Sequence, residues 1–339
     1  MIKKIKKKVK KKLEYYFYKK HLSGHVLYSK IYYIFFSEIY TRQIISISKG
    51  IQEYKSKNNE NEVLLVRNIH RIEKGLIMPE LKTEFALNYI EETVQTFLSL
   101  SNSKKPKNKN LLSYSSNILK KYFSVVDLQN PKLQKLKKEF DKIRFVKKNT
   151  LPYKRRDSEI SKINYDDVLK LFKQRRSVRF YEDKKVEREL IEKAVDAATL
   201  SPSACNRQPF ELIVSDENPF KDQLGRLPMG ASTYYKNVPV FAALIGDLSS
   251  YFDERDRHLI YIDGSLFAMS FMLALETLGL SSCPINWPDI ESKEKKLSKF
   301  LKLKPYQRCI MFIGLGYADP NMLIPYSNKK KSNQIIKYI

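Results

Sequence analysis

From Asn164 onward, segments of helical periodicity alternate with short apolar runs, and this alternation constrains the chain more than any other feature. Asn164 is placed to cap a helix ending near Gln174, with Asp167 at its third position and Val168, Leu169 and Phe172 facing inward. Residues 186–199 form a second amphipathic pattern, with Leu190, Ile191, Ala194, Val195 and Ala198 on one face, closed by Ser201-Pro202. Residues 211–214, 240–245 and 309–315 read as buried strands, and 263–278 as a long apolar helix stopped by Gly279. Helices interleaved with buried strands give a layered α/β or α+β domain.

The first half reads differently. Residues 26–54, 61–100 and 111–146 are expected to be helices. Phe85, Tyr89, Val94 and Phe97 supply an apolar face of the second, and Ile118, Tyr122 and Val126 recur at four-residue steps in the third. Residues 101–110, SNSKKPKNKN, are polar, basic and interrupted by Pro106, which marks a loop or linker. A chain of 339 residues accommodates a globular domain plus an appended segment. The expected division is an all-helical region over 1–160 and a layered domain over 161–339.

The net charge of +26 is uneven: residues 1–160 hold 36 Lys and Arg against 15 Asp and Glu, and the remainder 27 against 22. Ile2, Ile5, Val9 and Leu13 lie at helical spacing among lysines, a narrow apolar stripe on a basic helix. Such a helix can rest weakly on an anionic membrane, and a solvated basic tail is an equal reading. Charge by itself speaks to solubility and non-specific binding. No recognition motif is interleaved with it, so no specific nucleic-acid partner is expected. Cys205, Cys283 and Cys309 lie far apart without a CxxC pair, which argues against a disulfide framework or a zinc site. The opening residues lack an apolar stretch of signal-peptide length, and the aromatic run 31–36 is too short to span a bilayer. A cytoplasmic protein, at most peripheral to a membrane, is expected.

Two segments carry chemistry. Residues 175–179, RRSVR, put three guanidinium groups and a hydroxyl just after a helix, a combination that suits a phosphate, although basic pentapeptides are common on surfaces. Residues 201–210, SPSACNRQPF, are stiffened by proline at both ends. They offer Ser203, Asn206 and Gln208 as neutral partners for a planar polar ring, or simply join a helix to a strand. The four histidines, His21, His25, His70 and His258, form no motif with a nucleophile, and HExxH, GxSxG, GxGxxG and Walker patterns are absent from the sequence.

Taken in order, RRSVR, an amphipathic helix, SPSACNRQPF and the strand ELIVS resemble the nitroreductase family. The resemblance continues to the C-terminus. Residues 264–283, GSLFAMSFMLALETLGLSSC, resemble its dimer-core helix, 283–287, CPINW, its PIEG-like turn, 308–319 its closing strand, and PYSNKK its basic tail. It implies an α+β layered fold with a central mixed sheet flanked by helices, here preceded by an all-helical region. It also implies a homodimer with FMN at the subunit interface, passing electrons from NAD(P)H to a small-molecule acceptor in a ping-pong cycle. In this family the flavin performs the redox step, so no catalytic acid or base is named.

Residue by residue, Arg175 and Ser177 match the contacts to the FMN phosphate, Arg176 matches more loosely, and Lys329 falls where a basic residue of the tail joins them. Arg179 matches a cation near the flavin pyrimidine edge. Pro202, Ser203, Ala204 and Asn206, with Gln208 beside them, match the segment lent by the partner subunit. Pro284, Ile285 and Asn286 match the turn facing flavin N5. The chain departs from the pattern at Asn286, usually Glu, and Trp287, usually Gly, which together are expected to reshape the pocket over N5, and at Phe210, usually Trp. Residues 224–237 give no match for the family's central ring contacts. These departures keep open a second reading, a catalytically altered flavin-binding or assembly module. Residues 68–76, NIHRIEKGL, resemble segments preceding such domains in polysaccharide-cluster proteins, which would link that module to polysaccharide biosynthesis. A lone His beside Arg and Glu is otherwise a hydrogen-bonded structural residue.

Overall fold

The computed structural model describes residues 2–103, 108–143 and 150–339, with the side chains of 2–8 and 10 left aside. The first seven helices are α1 (Ile2–Leu22), α2 (Val26–Phe35), α3 (Glu38–Ser56), α4 (Glu62–Leu76), α5 (Ile90–Ser101), α6 (Lys109–Phe123) and α7 (Pro131–Phe140). Each of the three long helices expected from periodicity is split in two. Short polar side chains explain where, since they bind backbone N–H groups that a continuing helix would need. Ser37 Oγ accepts from the Tyr40 N–H at the start of α3, and Asn130 Oδ1 from the Lys132 N–H at the start of α7, where Pro131 fits the first turn. The second break runs through Pro79 to Ala86, whose φ of +62° is non-helical. Phe85, Tyr89 and Val126 therefore lie in connections, and 144–146 fall outside the described residues. The Phe85 ring still meets the Tyr122 ring edge-on at 5.0 Å, so it reaches the core by another route. Of the stripe expected on α1, Val9 and Leu13 are exposed, and Ile2 and Ile5 are among the side chains left aside.

Leu65, Ile69 and Ile72 of α4, Val94 and Phe97 of α5, and Ile118, Leu119 and Tyr122 of α6 bury one another completely. Helix α3 takes no part in that core. Its Ile47 packs against Leu248, Tyr251 and Ile260 of the second half. Arg42 pairs with Glu291 and, at 2.9 Å, with Asp289, while Arg308 approaches Asp289 at 2.8 Å and Glu294 at 3.5 Å. At Gly50 an added Cβ would stand 2.7 Å from the Leu248 carbonyl oxygen and 2.8 Å from its carbon, backbone that cannot step aside. Gly50→Ala is accordingly expected to lower stability by about 1–3 kcal/mol, read as a reduced urea midpoint. An unchanged midpoint would mean that α3 is not docked in solution.

The second half contains α8 (Tyr165–Gln174), α9 (Arg188–Ala198), β1 (Phe210–Ser215), α10 (Phe220–Gly225), β2 (Val240–Asp247), α11 (Leu259–Thr277), β3 (Ser281–Asn286), α12 (Glu291–Leu301) and β4 (Gln307–Gly316). The strands form one antiparallel sheet in the order β1-β2-β4-β3. The α+β class is as expected. The parallel component of the expected mixed sheet reduces, among the described residues, to a single bridge between Ser177 and Ser282. Alternation along β2 separates two cores: Val240, Ala242 and Leu244 meet α9 and α11, and Phe241, Ala243 and Ile245 meet Leu224 of α10 and Leu297 of α12. Strand β3 includes Pro284, Ile285 and Asn286, which the family resemblance assigns to a turn. As the outer strand it tolerates a residue without an N–H.

Glu254–Thr277 is long and apolar enough to cross a membrane by composition, but Phe267, Phe271 and Leu275 of α11 are buried on the sheet. Gly279, at φ +78°, ends this helix as expected. Helix α8 departs from expectation. Asn164 caps it through the Asp167 N–H at 3.0 Å, yet Val168 and Phe172 are 40% and 47% exposed rather than inward, since one chain offers them no covering surface.

Candidate functional site

The residues singled out by sequence fall into two groups at opposite ends of α11. At its N-terminal end, Asp263 is 2% exposed and holds the connection between α9 and β1. The Ser203 hydroxyl donates to Asp263 Oδ2 at 2.6 Å and the Ala204 N–H to the same oxygen at 3.0 Å. The Gln208 N–H in turn donates to Ser203 Oγ at 2.9 Å. This anchorage bears a strained backbone: Cys205, Asn206 and Gln208 have φ of +54°, +54° and +49°, a region costly for residues with a Cβ. Gln208 Nε2 donates to Asn206 Oδ1 at 3.1 Å, so these two side chains engage each other. Pro202 is exposed beside them.

At the other end Arg175 closes α8, half-buried, its Nε buried and without a partner. Gln174 Nε2 donates to Glu276 Oε2 at 3.2 Å. Burial pushes the Glu276 carboxyl above its ordinary range, against the pull of hydrogen bonds from Gln174 and Ser281 and the charge of Arg175. The Val178 N–H donates to the Ser282 carbonyl at 3.1 Å, which fixes Ser177 beside Ser282, whose own Oγ is buried and unpartnered. Arg176 Nη1 turns back onto the carbonyls of Phe172 and Arg175, at 3.3 and 3.1 Å, and so caps the helix. Arg179 Nη1 donates to the Ser177 carbonyl at 3.1 Å. Lys329 is exposed in the tail, with no hydrogen bond or ion pair to Arg175 or Ser177 among the described residues. Among the described residues Arg175 Nε and Ser282 Oγ have no protein partner, and with Ser177, bridged to Ser282 through the backbone, they are donors of the kind that suits a phosphate-bearing group.

Thirteen residues separate Asp263 from Glu276, about 20 Å at 1.5 Å per helical residue. One chain thus does not bring its two groups together. Pro284, Ile285 and Asn286 lie in β3 opposite Ile313, Phe312 and Met311. Ser282 turns its carbonyl to the outer edge of β3, so by alternation Ile285 points its N–H at β4 and, Pro284 having none, Asn286 is the backbone donor of the three on the open edge. Trp287 corrects an expectation. It is buried in the core, its ring 5.2 Å from Phe312 and its Nε1 donating to Glu294 Oε1 at 2.6 Å, so it does not shape a pocket over a ring. Asn237, in the stretch that gave no match, locks the backbone of Tyr181, accepting from its N–H at 2.7 Å and donating to its carbonyl at 3.1 Å. Sequence reading passed over Asp263 and Glu276. Their signal was two carboxylates inside an otherwise apolar helix.

Residues 172–236 and 215–317 match the model of the nitroreductase family. Over 166 residues, 49% of this chain and 83% of the relative, the chain is 30% identical to a Methanothermobacter thermautotrophicus protein provisionally named NADH dehydrogenase/NAD(P)H nitroreductase. It is 25% identical to 4-nitrobenzoate reductase of Pseudomonas putida, over 47% of this chain and 88% of that one. Among solved structures, an FMN-dependent nitroreductase of Clostridium difficile R20291 is similar at 26% identity and a TM-score of 0.43, covering 50% of this chain and 98% of the other.

Proposed function

Since the chain belongs to the nitroreductase family, we propose that it works as a homodimeric flavin oxidoreductase, passing electrons from NAD(P)H through FMN to a small-molecule acceptor in a ping-pong cycle. One observation carries the dimeric form of the reading: the two groups of site residues stand about 20 Å apart on one helix. A second copy with its α11 antiparallel to the first would set the loop 202–208 of each against Arg175 of the other. The exposed apolar residues Ile262 and Leu266 of α11, Val168 and Phe172 of α8, and Leu200 supply a surface for that contact. Residues 161–339 form the flavin unit in this reading and 1–160 its helical companion, in the cytoplasm, where Cys205, Cys283 and Cys309 stay free thiols.

Arg175, Ser177 and Ser282 would hold the phosphate, with Arg176 and Lys329 at its margin. Arg179 would stand at the pyrimidine edge, where a fixed positive charge favours added negative charge on the ring. The N–H of Asn286, on the open edge of β3, would face the ring with Pro284 and Ile285 beside it, and Pro202, Ser203, Ala204, Asn206 and Gln208 would wall it off from water. FMN, when bound, supplies the two-electron redox chemistry that no side chain here provides. The inward placement of Trp287 removes one reason for reading the site as an inactive assembly module.

The visible absorption spectrum of the purified full-length protein tests the proposal. Bands near about 370 and 450 nm, bleached by NADH or NADPH without oxygen and yielding FMN on release, are the expected result. A colourless protein that takes up no added FMN would overturn it.

A further inference from the structure

Helix α4 carries the NIHRIEKGL segment, and its two faces differ in chemistry. On one, Glu73 Oε2 accepts from the Tyr114 hydroxyl at 2.6 Å and lies 3.5 Å from His70 Nδ1, which ties α4 to α6. On the other, Arg67, Arg71 and Lys74 share one stripe at i, i+4 and i+7. This stripe lines a basin of about 380 Å³, and its opposite wall includes Ala204, Cys205 and Arg207 of the loop anchored by Asp263, with Arg255.

Five cationic side chains face this basin against one carboxylate, Asp256, which Arg207 and Arg255 already engage at 3.4 and 3.7 Å. Arg67 and Arg71 are oriented without being neutralised: each reaches Asn68 Oδ1 at 3.4 Å, and they lie over the rings of Phe252 at 4.5 Å and Tyr89 at 3.7 Å. The Arg207 side chain is 3% exposed, and its Nε has no partner. Like charges at helical i, i+4 spacing repel, and a concavity collecting them is a site for an anion.

We propose that this basin is a phosphate subsite, taking the phosphate or pyrophosphate group of a ligand that works at the adjacent flavin site. The adjacency rests on the functional reading above, because Ala204 and Cys205 belong to the loop offered to the second copy's flavin. The added helical region thereby supplies substrate selection. The phosphate has two sources, the pyrophosphate of the nicotinamide donor and a phosphorylated acceptor.

Calorimetric titration of the full-length protein, in excess FMN, with sodium pyrophosphate tests the subsite. Wild type is expected to bind, and Arg71→Gln/Lys74→Gln to bind at least about tenfold more weakly, as the loss of a charge-assisted contact implies. Lys74→Glu, a reversal at an exposed position, is expected to weaken binding likewise without risk to the fold. Flavin content, read at 450 nm, is expected to be equal in all three, which separates this result from the functional proposal. Absence of pyrophosphate binding by wild type, or equal binding by the folded variants, overturns the subsite. Competitive inhibition of NADH oxidation by pyrophosphate assigns the group to the donor. Binding without such inhibition assigns it to the acceptor.

Discussion

Asp263→Ala is expected to weaken FMN binding by about a hundredfold and to lower the unfolding midpoint. The carboxylate accepts from the Ser203 hydroxyl and the Ala204 N–H, and it is the anchor of a loop with three non-glycine residues at positive φ. Hydrogen bonds to a buried charge contribute about 1.5–3 kcal/mol each, and the loss of roughly 2.7 kcal/mol corresponds to a factor of a hundred. Without them the backbone of Cys205, Asn206 and Gln208 has less to hold it in its strained form. Asp263→Asn keeps one acceptor oxygen without the charge and is expected to fall between the two. Fluorescence titration with FMN reads the affinity. A folded Asp263→Ala protein with wild-type affinity would mean that this loop does not contribute to the flavin site.

Arg175→Ala is expected to weaken FMN by at least about tenfold while leaving riboflavin, which lacks the phosphate, nearly unaffected. Arg175 is suited to this test because its Nε has no protein partner, and, because its loss also takes a charge away from the Glu276 carboxyl, the riboflavin control is needed beside it. Equal weakening of both ligands would point instead to a collapse of the end of α8 and would remove the phosphate assignment.

Much of the second half could be read from sequence because it obeys local rules. The apolar runs of β1, β2 and β4, the Asn164 cap and the Gly279 stop each act within a few residues. The cluster at 175–179 was legible for the same reason, as one continuous segment. What stayed hidden depends on distance along the chain. Asp263 is an unremarked acid until folding brings Ser203, sixty residues earlier, to its carboxylate. For Trp287 the family comparison offers only a Gly position over the ring, and its actual partners, Phe312 and Glu294, come from elsewhere in the chain or from the next helix. In the first half the helical pattern was right in type and wrong in length. Ser37 and Asn130 interrupt it with side chains that a period analysis does not weigh.

The docking of α3 and α4 bears on how the gene can be trimmed. Cutting the chain at residue 160 would bare Leu248, Tyr251 and Ile260 and strip Arg42 from Asp289 and Glu291, leaving a greasy, acid-rimmed scar on the remaining half. It would also remove the backing behind Ala204 and Cys205. The helices are a retaining wall for the loop 202–208, and shortening the protein should begin ahead of Ser37 and stop there.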